Sequence, residues 1–102
     1  MKKLNWFQYF VRSLGGISRY HQDGVRIRQV NRDAYKYFEY DHSLLFVAEW
    51  LGNEYAISSA PINHWLPPFE HEVITNEDKQ RIMKNISNFF DYYGYKHFID
   101  NK

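Results

Sequence analysis

Where its character changes from strand to helix, the chain reads Ile62-Asn63-His64-Trp65-Leu66-Pro67-Pro68-Phe69-Glu70-His71-Glu72-Val73-Ile74-Thr75. This stretch contains two of the three prolines in the sequence and one of the three tryptophans. Because proline has no amide hydrogen to donate to a sheet ladder, Pro67 and Pro68 predict that the strands end before this point. A helix-like run follows without a spacer and continues to Gly94. The stretch therefore divides the fold into a sheet and a C-terminal helix.

The helix is predicted over residues 75–93. Thr75 and Asp78 have the spacing of a short-armed capping box, and acidic side chains there suit the positive end of the helix dipole. Gly94 occupies the position at which helices commonly end in a left-handed residue. Between these two signals a single apolar stripe recurs at helical spacing, formed by Ile82, Ile86, Phe89, Phe90 and Tyr93.

The part of the chain before this stretch has the period of two that is typical of strands. Asp23-Gly24 is a strong hairpin signal, because both residues tolerate positive φ. Leu44–Leu51 is apolar on both alternating faces, which predicts the central strand. The short turns favour an antiparallel meander of four to six strands, so the fold class is α+β, with the helix packed across one face of the sheet. The predicted strands are Ile17–His21, Val25–Val30, Tyr35–Tyr40, Leu44–Leu51, Glu54–Ser58 and Tyr95–Ile99.

Residues 5–14 fit two structures. Phe7, Phe10, Val11 and Leu14 have the spacing of an amphipathic helix, and a pair of glycines follows. As a strand, the same run alternates poorly between apolar and polar residues. We therefore favour a short N-terminal helix and keep a strand as the alternative.

The composition limits the class of protein. At 102 residues the chain fits one domain over residues 1–102, and an aromatic content of 20% indicates a globular protein rather than a disordered one. The net charge of +1 gives no overall attraction to nucleic acid or an anionic membrane. The absence of cysteine excludes disulfides and thiol nucleophiles. No run has the length and apolarity of a signal peptide or membrane span, so we expect a soluble cytoplasmic protein.

No combination of residues in the sequence predicts catalysis. The five histidines lack the close pairing of a zinc site, and Glu70-His71-Glu72 fits a solvated loop better than a metal site. His42 near Lys36, or His64 near Arg26, could act on a phosphate only if the fold brought them together. A histidine-dependent hydrolase is therefore a minor alternative. The prediction is a protein without enzymatic activity, cofactor or metal.

The N-terminal half is rich in arginine and tyrosine, a composition that also occurs in surfaces that bind single-stranded nucleic acid. The same residues fit an outer sheet face, and acidic residues that follow closely reduce the local charge. A small nucleic-acid-binding or regulatory domain is therefore the second hypothesis. The residues concerned are Arg12, Arg19, Arg26, Arg28, Arg32, Tyr20, Tyr35 and Tyr37.

Trp65 has a structural and a functional interpretation. We predict that it fills the gap between sheet and helix, because burial of so large a ring is strongly stabilising. Pro67 and Pro68 would set a rigid path beside it. The alternative places Trp65 and Phe69 in a binding surface. A structural role is also predicted for Ile82, Ile86 and Phe89.

The residues from Ser58 to Ile82 resemble small bacterial immunity proteins from polymorphic-toxin and contact-dependent growth-inhibition loci. One such group shares the pattern Ser-x-x-x-Ile-x-x-Trp-x-Pro-Pro-x-x-x-Glu-x-Ile-Thr, followed by a helix that starts Glu-x-Lys-x-x-Ile. Outside this segment the resemblance extends only to the order of strands before a helix. The pattern is met here by Ser58, Ile62, Trp65, Pro67, Pro68, Glu72, Ile74, Thr75, Glu77, Lys79 and Ile82.

The resemblance implies a monomer that binds the C-terminal domain of a cognate toxin one-to-one in the cytosol and blocks its active site or access to substrate. Many such toxins are nucleases with basic grooves, which acidic side chains on an inhibitor would attract and anchor. Aromatic anchors surrounded by charge concentrate binding energy. A basic face that contains Arg26 and Arg28 is an alternative contact with acidic toxin residues. The predicted toxin-binding residues are Asp23, Glu39, Asp41, Glu49, Glu54, Tyr37 and Tyr40.

Overall fold

The computed structural model describes residues 24–101, which form a five-stranded sheet and one helix. This confirms the predicted α+β fold class. The helix predicted over residues 5–14, the strand predicted over Ile17–His21, and Asp23 lie outside the described residues. In chain order the elements are β1 (Val25–Gln29), β2 (Ala34–Glu39), β3 (His42–Trp50), β4 (Tyr55–Ser58), α1 (Asn76–Tyr92) and β5 (His97–Asp100).

The five strands lie in the sheet in their chain order. β1 to β4 are antiparallel neighbours joined by short turns, as the predicted meander requires. β5 is different, because it pairs with β4 in parallel. Parallel neighbours need a long crossover connection, which α1 and the proline-containing loop before it supply. The meander prediction therefore holds for the first four strands and is wrong for the last.

The turn between β2 and β3 is tighter than predicted. Glu39 and His42 pair directly, so the loop consists of Tyr40 and Asp41 alone. His42, which the sequence placed in the turn together with Ser43, is instead the first residue of β3. This difference matters for function, because it gives the His42 side chain a fixed place at the end of the sheet.

A capping box and a glycine with positive φ explain where helix α1 begins and ends. The Thr75 hydroxyl accepts from the Asp78 amide at 3.1 Å, and the Asp78 carboxylate accepts from the Thr75 amide at 3.1 Å. This reciprocal pair satisfies amides that the first helical turn leaves free. At the other end Gly94 has φ of 74°, a left-handed conformation that glycine adopts without a steric penalty.

One face of the sheet packs against α1 and forms the core. The Tyr35 ring of β2 stacks on Phe46 of β3 at a centroid distance of 5.3 Å and meets Phe90 of the helix at 5.7 Å. The loop before the helix adds Ile62 and Trp65, both buried. Pro67 and Pro68 beside Trp65 are exposed. The apolar helix stripe is buried at Ile82, Ile86, Phe89 and Phe90.

The other side of the sheet is open within the described part of the chain. β3 is the middle strand, as predicted, but only its Leu44, Phe46 and Ala48 face is buried. Leu45 is 47% exposed and Val47 is 38% exposed, so the apolar pattern on both faces did not mean burial on both. We call this side the open face. Within residues 24–101 no helix has the length and apolar character that crossing a membrane requires.

Candidate partner-binding surface

The β2–β3 hairpin places Tyr40 and Asp41 at one end of the sheet, and both are exposed. Positive φ at the first of two loop residues alone is the pattern of a type II′ turn, which prefers glycine at that position. Here the position is held by Tyr40, with φ of 55° and 76% of its surface exposed. An aromatic side chain in such an uncommon conformation is a candidate for a binding role.

Gly24, just before β1, holds Tyr40 in place. The Tyr40 amide donates to the Gly24 carbonyl oxygen at 2.7 Å. The Tyr40 ring lies so close that a Cβ atom on Gly24 would come within 2.5 Å of it. Gly24 also has φ of 73°, which side chains other than glycine rarely tolerate. The ring is thus fixed on one side and open to solvent on the other.

His42 connects the hairpin to the loop before α1. Its Nδ1 atom lies 2.9 Å from Asp41 Oδ1, and its Nε2 atom lies 3.0 Å from Glu72 Oε1. Its ring stacks on Phe69 at a centroid distance of 3.8 Å and meets the edge of Trp65 at 5.0 Å. The Leu66 amide of the same loop donates to the Ser43 carbonyl oxygen at 2.7 Å. These contacts fix the loop against the first residues of β3.

The two carboxylates favour the charged form of His42. The hydrogen bond to Glu72 is the main cause of its raised pKa; partial burial opposes it, and the bond to Asp41 adds to it. The chemistry explains the direction, because ionised carboxylates only accept hydrogen bonds and an imidazole can donate from both nitrogens only when protonated. The site therefore carries two acidic groups held on either side of one cation.

We define the acidic corner as Tyr40, Asp41, His42, Phe69 and Glu72. Asp41 and Glu72 keep 75% and 55% of their side chains exposed while their inner oxygens contact His42. The corner therefore combines an exposed aromatic ring with positioned, accessible carboxylates. Such a combination is typical of the residues that carry binding energy and orientation in protein interfaces. It contains two of the residues predicted from the sequence, Tyr40 and Asp41.

Two other predicted contact residues, Tyr37 and Glu39, are not on the open surface. Tyr37 has no exposed surface, and its hydroxyl donates to Glu39 Oε2 at 2.8 Å while accepting from Asn85 at 3.0 Å. Burial, with Glu39 nearby, raises the pKa of this hydroxyl. The Tyr37 ring therefore belongs to the core between β2 and α1 and offers no surface to a partner in this structure.

The Glu39 carboxylate binds a side chain of the helix and is largely shielded from solvent. Its two oxygens accept from Arg81 Nε at 3.0 Å and from another guanidinium nitrogen at 2.7 Å, and its side chain is only 14% exposed. Burial opposes ionisation of Glu39, but the bonds from Arg81 and Tyr37 outweigh it and lower the pKa of the carboxyl. Arg81 also donates to Asp78 at 2.8 Å. The network ties the first turns of α1 to the end of β2.

Two further predicted residues, Glu49 and Glu54, are separated from the acidic corner, and Asp23 lies outside the described residues. Glu49 lies on the open face near the end of β3, opposite Ala56 of β4. Glu54 is half-buried in the β3–β4 connection, where its carbonyl oxygen accepts from the Leu51 amide at 2.9 Å. β3 has nine residues, so its ends are about 27 Å apart. The predicted acidic residues therefore do not form one patch.

A second histidine group has the residue types of a hydrolase but not the geometry. Ser87 of α1 hydrogen-bonds His97 Nε2, and His97 Nδ1 lies 3.0 Å from the Tyr95 carbonyl oxygen. Asp91 is 3.8 Å from the same nitrogen, beyond a hydrogen bond. Nδ1 must donate to the carbonyl, which leaves Nε2 to accept from Ser87. The group fastens α1 to β5, and Ser87 stands inside a helix with no free amide beside it to stabilise an oxyanion.

The combination of His42 with Lys36 considered from the sequence is also not assembled. The His42 side chain lies on the side of the sheet that packs against α1, whereas Lys36 lies on the open face. The sheet therefore separates the two residues. Asp41 and Glu72 occupy opposite nitrogens of His42 and cannot share one metal ion with it. Among the residues that the structure describes, no group of three or more His, Asp or Glu side chains is placed to hold a metal.

Comparison with known families agrees with a binding protein. The sequence matches the family described as Immunity protein 74 over residues 30–97, which include β2, β3, β4 and α1. The chain therefore belongs to this family of immunity proteins. The match begins well before Ser58, where the resemblance seen in the sequence began. Searches of curated proteins and of solved structures gave no match.

Little in the sequence indicates that the residues of the acidic corner form a unit. His42 and Glu72 are 30 positions apart, and Glu72 was interpreted as part of a solvated loop. Arg81, which pairs with Glu39 from 42 positions away, carries no sequence signal for this role. The available signal was the tight turn at residues 40–41, which places His42 at the start of a strand rather than in a loop.

Proposed function

We propose that this protein binds a cognate bacterial toxin and neutralises it as a one-to-one complex in the cytosol. The observation that carries the proposal is membership of an immunity protein family over residues 30–97, which include three strands and the helix. Within it, the toxin would come from a polymorphic-toxin or contact-dependent growth-inhibition locus, and its C-terminal domain would be the bound part. Neutralisation of this kind requires contact and no chemistry by the inhibitor.

The acidic corner is our candidate for the main contact. Tyr40 would supply the apolar anchor, since its ring is exposed and already fixed by Gly24. A pre-positioned ring loses little conformational entropy on binding. Asp41 and Glu72 would supply charge-assisted hydrogen bonds. Glu49 and Glu54 would contribute only to a partner long enough to reach the far end of β3.

The acidic character of this corner supports a nuclease as the toxin. A groove that binds nucleic acid is lined by Lys and Arg, and an inhibitor with exposed carboxylates complements it. The near-neutral net charge of +1 means that such attraction would depend on this local patch and not on the whole molecule. Association should then slow as salt concentration rises.

Growth rescue tests the proposal directly. The gene immediately upstream is sequenced, a toxin C-terminal domain found there is expressed in bacteria with and without the protein, and the purified pair is titrated by calorimetry. We expect restored growth and a stoichiometry of one. Unchanged toxicity, with no measurable binding of the purified pair, would reject the proposal.

Matched variants test the location. Tyr40→Ala and the double variant Asp41→Asn/Glu72→Gln should each raise Kd by about tenfold or more. Glu77→Gln is the control, because Glu77 is an exposed carboxylate in the first turn of α1 and outside the corner. If all three variants bound the toxin domain as tightly as the wild type, the toxin proposal would stand and the contact would lie outside the acidic corner.

A further inference from the structure

Three cations of the open face surround one aromatic ring. The Arg26 and Arg28 guanidinium carbons lie 4.5 and 5.8 Å from the centroid of the Phe38 ring, and the Lys36 ammonium lies 5.2 Å from it. Arg26 stands opposite Phe38 in the pairing of β1 with β2, and Arg28 stands opposite Lys36. We call these four residues the cation cluster.

The positive charge of the cation cluster is not balanced inside the described structure. Within residues 24–101 no carboxylate forms an ion pair with Arg26, Arg28 or Lys36. Like charges directly opposite each other on neighbouring strands are destabilising, which applies to Arg28 and Lys36. The cation–π contacts with Phe38 offset only part of this repulsion at an exposed site. A ligand with negative charge would relieve the rest.

We infer that the cation cluster binds carboxylates on the surface of the toxin, as a second contact area beside the acidic corner. The inference rests on the proposed function. Arginine pairs with carboxylates through two parallel hydrogen bonds, and two arginines on one strand face offer two such sites. Phe38 is two residues before Tyr40, which lies in the turn after β2, so a partner that covers both areas must reach around this end of the sheet. The toxin would then present a basic part to the acidic corner and an acidic part to the open face.

The surroundings of the cation cluster favour a protein over a nucleic acid. Lys36 stands opposite Leu45 of β3, and Leu45 and Val47 are exposed beside it. An apolar area rimmed by arginine is typical of protein interfaces. Single-stranded nucleic acid needs aromatic faces on which bases can stack, but cations already lie over the Phe38 ring.

The test compares a neutralised cluster with a matched control. The triple variant Arg26→Gln/Arg28→Gln/Lys36→Gln should raise the Kd for the toxin domain by about tenfold or more. The control Arg32→Gln/Lys84→Gln changes two exposed cations in the β1–β2 turn and on α1, and should leave Kd within about twofold. Calorimetry gives both values. An unchanged Kd for the triple variant would overturn the inference.

A measurement on the free protein checks the cause. Lys36→Glu replaces the like-charge pair with Arg28 by an opposite-charge pair, so Tm should rise by about 2–6 °C at low salt and the gain should shrink at high salt. The same variant should bind the toxin more weakly. A lower Tm, or tighter binding, would contradict the inference.

The outcomes separate this inference from the proposed function. If the triple variant still rescues growth with full affinity, the toxin proposal stands and the cation cluster is not a contact. If the wild-type protein neither binds nor rescues, both fail. If the wild type binds a single-stranded RNA oligonucleotide and the triple variant does not, the cluster is a phosphate site and the inference is wrong.

Discussion

The ring of Tyr40 lies directly over the backbone of Gly24, so closely that a Cβ atom on Gly24 would come within 2.5 Å of two ring carbons. Both residues have positive φ, 55° for Tyr40 and 73° for Gly24. The hairpin therefore keeps a tyrosine where a type II′ turn prefers glycine, and the neighbouring strand provides the glycine that makes room for it. A strained residue with an exposed ring is expected where function, rather than stability, selects the side chain.

Replacing Tyr40 by asparagine should separate stability from binding. Asparagine tolerates positive φ better than tyrosine, so the free energy of unfolding should stay within about 1 kcal/mol of the wild type. Affinity for the toxin domain should nevertheless fall, because the aromatic anchor is lost. Urea unfolding and calorimetry give the two values. A stable variant with full affinity would remove Tyr40 from the contact.

Gly24→Ala should destabilise the protein by about 1–3 kcal/mol, because the new methyl group meets the Tyr40 ring and the backbone has positive φ. The Tyr40→Asn background is the control. There the steric part of the cost should disappear while the part due to φ remains, which a double-mutant cycle measures. Equal costs in both backgrounds would show that the ring moves aside freely.

The ion pair between Glu39 and Arg81 should change how the free energy of unfolding depends on pH in the acidic range. Bonds from Arg81 and Tyr37 lower the Glu39 pKa despite its burial, and a bond from Arg81 followed by one from Thr75 lowers that of Asp78. A lowered folded pKa gives stability that is present above the unfolded value and is lost as pH falls through the folded value. Glu39→Gln should therefore cost about 1–2 kcal/mol at neutral pH.

The same variant should also lose stability less steeply than the wild type below about pH 4.5, measured by urea unfolding across that range. Glu77→Gln, which removes a carboxylate in the first turn of α1, next to Asp78, should follow the wild-type curve more closely. Identical acid limbs for Glu39→Gln and the wild type would mean that the ion pair does not link protonation to folding.

His42 should make the free energy of unfolding depend on pH in the opposite direction. Its bonds to Glu72 and Asp41 raise its pKa, so its stabilising contribution is complete below the unfolded value of about 6.5 and is lost as pH rises through the folded value. Between about pH 6 and about pH 8, His42→Gln should show a smaller loss of unfolding free energy than the wild type. His71→Gln is the control, since the His71 side chain is 93% exposed. A slope unchanged by His42→Gln would contradict the assignment.

Trp65 should be among the costliest single residues to truncate. It is buried among the core residues, and its ring meets that of His42 at an angle of 74° with the centroids 5.0 Å apart. Trp65→Ala should therefore reduce the free energy of unfolding by about 3–5 kcal/mol, while Val73→Ala in the same loop should change it by less than about 0.5 kcal/mol. Val73 is 78% exposed, which makes it a suitable control. Similar costs for the two would show that the ring is not held by the core.

The local elements were predictable because each depends on neighbouring residues. Thr75 and Asp78 cap α1, and Gly94 ends it, through contacts that span a few positions. The strands follow from alternation and from the short turns between them. The first four pair in sequence order because a short turn leaves a strand little choice but its neighbour. The pattern that resembles immunity proteins lies in such a local segment.

The functional surface depends on contacts between distant residues, and these only the tertiary structure decided. Alternation places Tyr37 and Glu39 on one face of β2 but cannot say which face the helix will cover. The helix covers their face, so Tyr37 is buried and only 14% of the Glu39 side chain is exposed. Arg81 forms an ion pair with Glu39, 42 positions away in the sequence, and His42 forms a hydrogen bond with Glu72, 30 positions away. By itself the sequence determined where the helix and most of the strands lie, since backbone preferences act locally. Packing decided which carboxylates remain accessible to a partner. A carboxylate such as Glu39 is shielded from solvent because the fold places an opposite charge beside it.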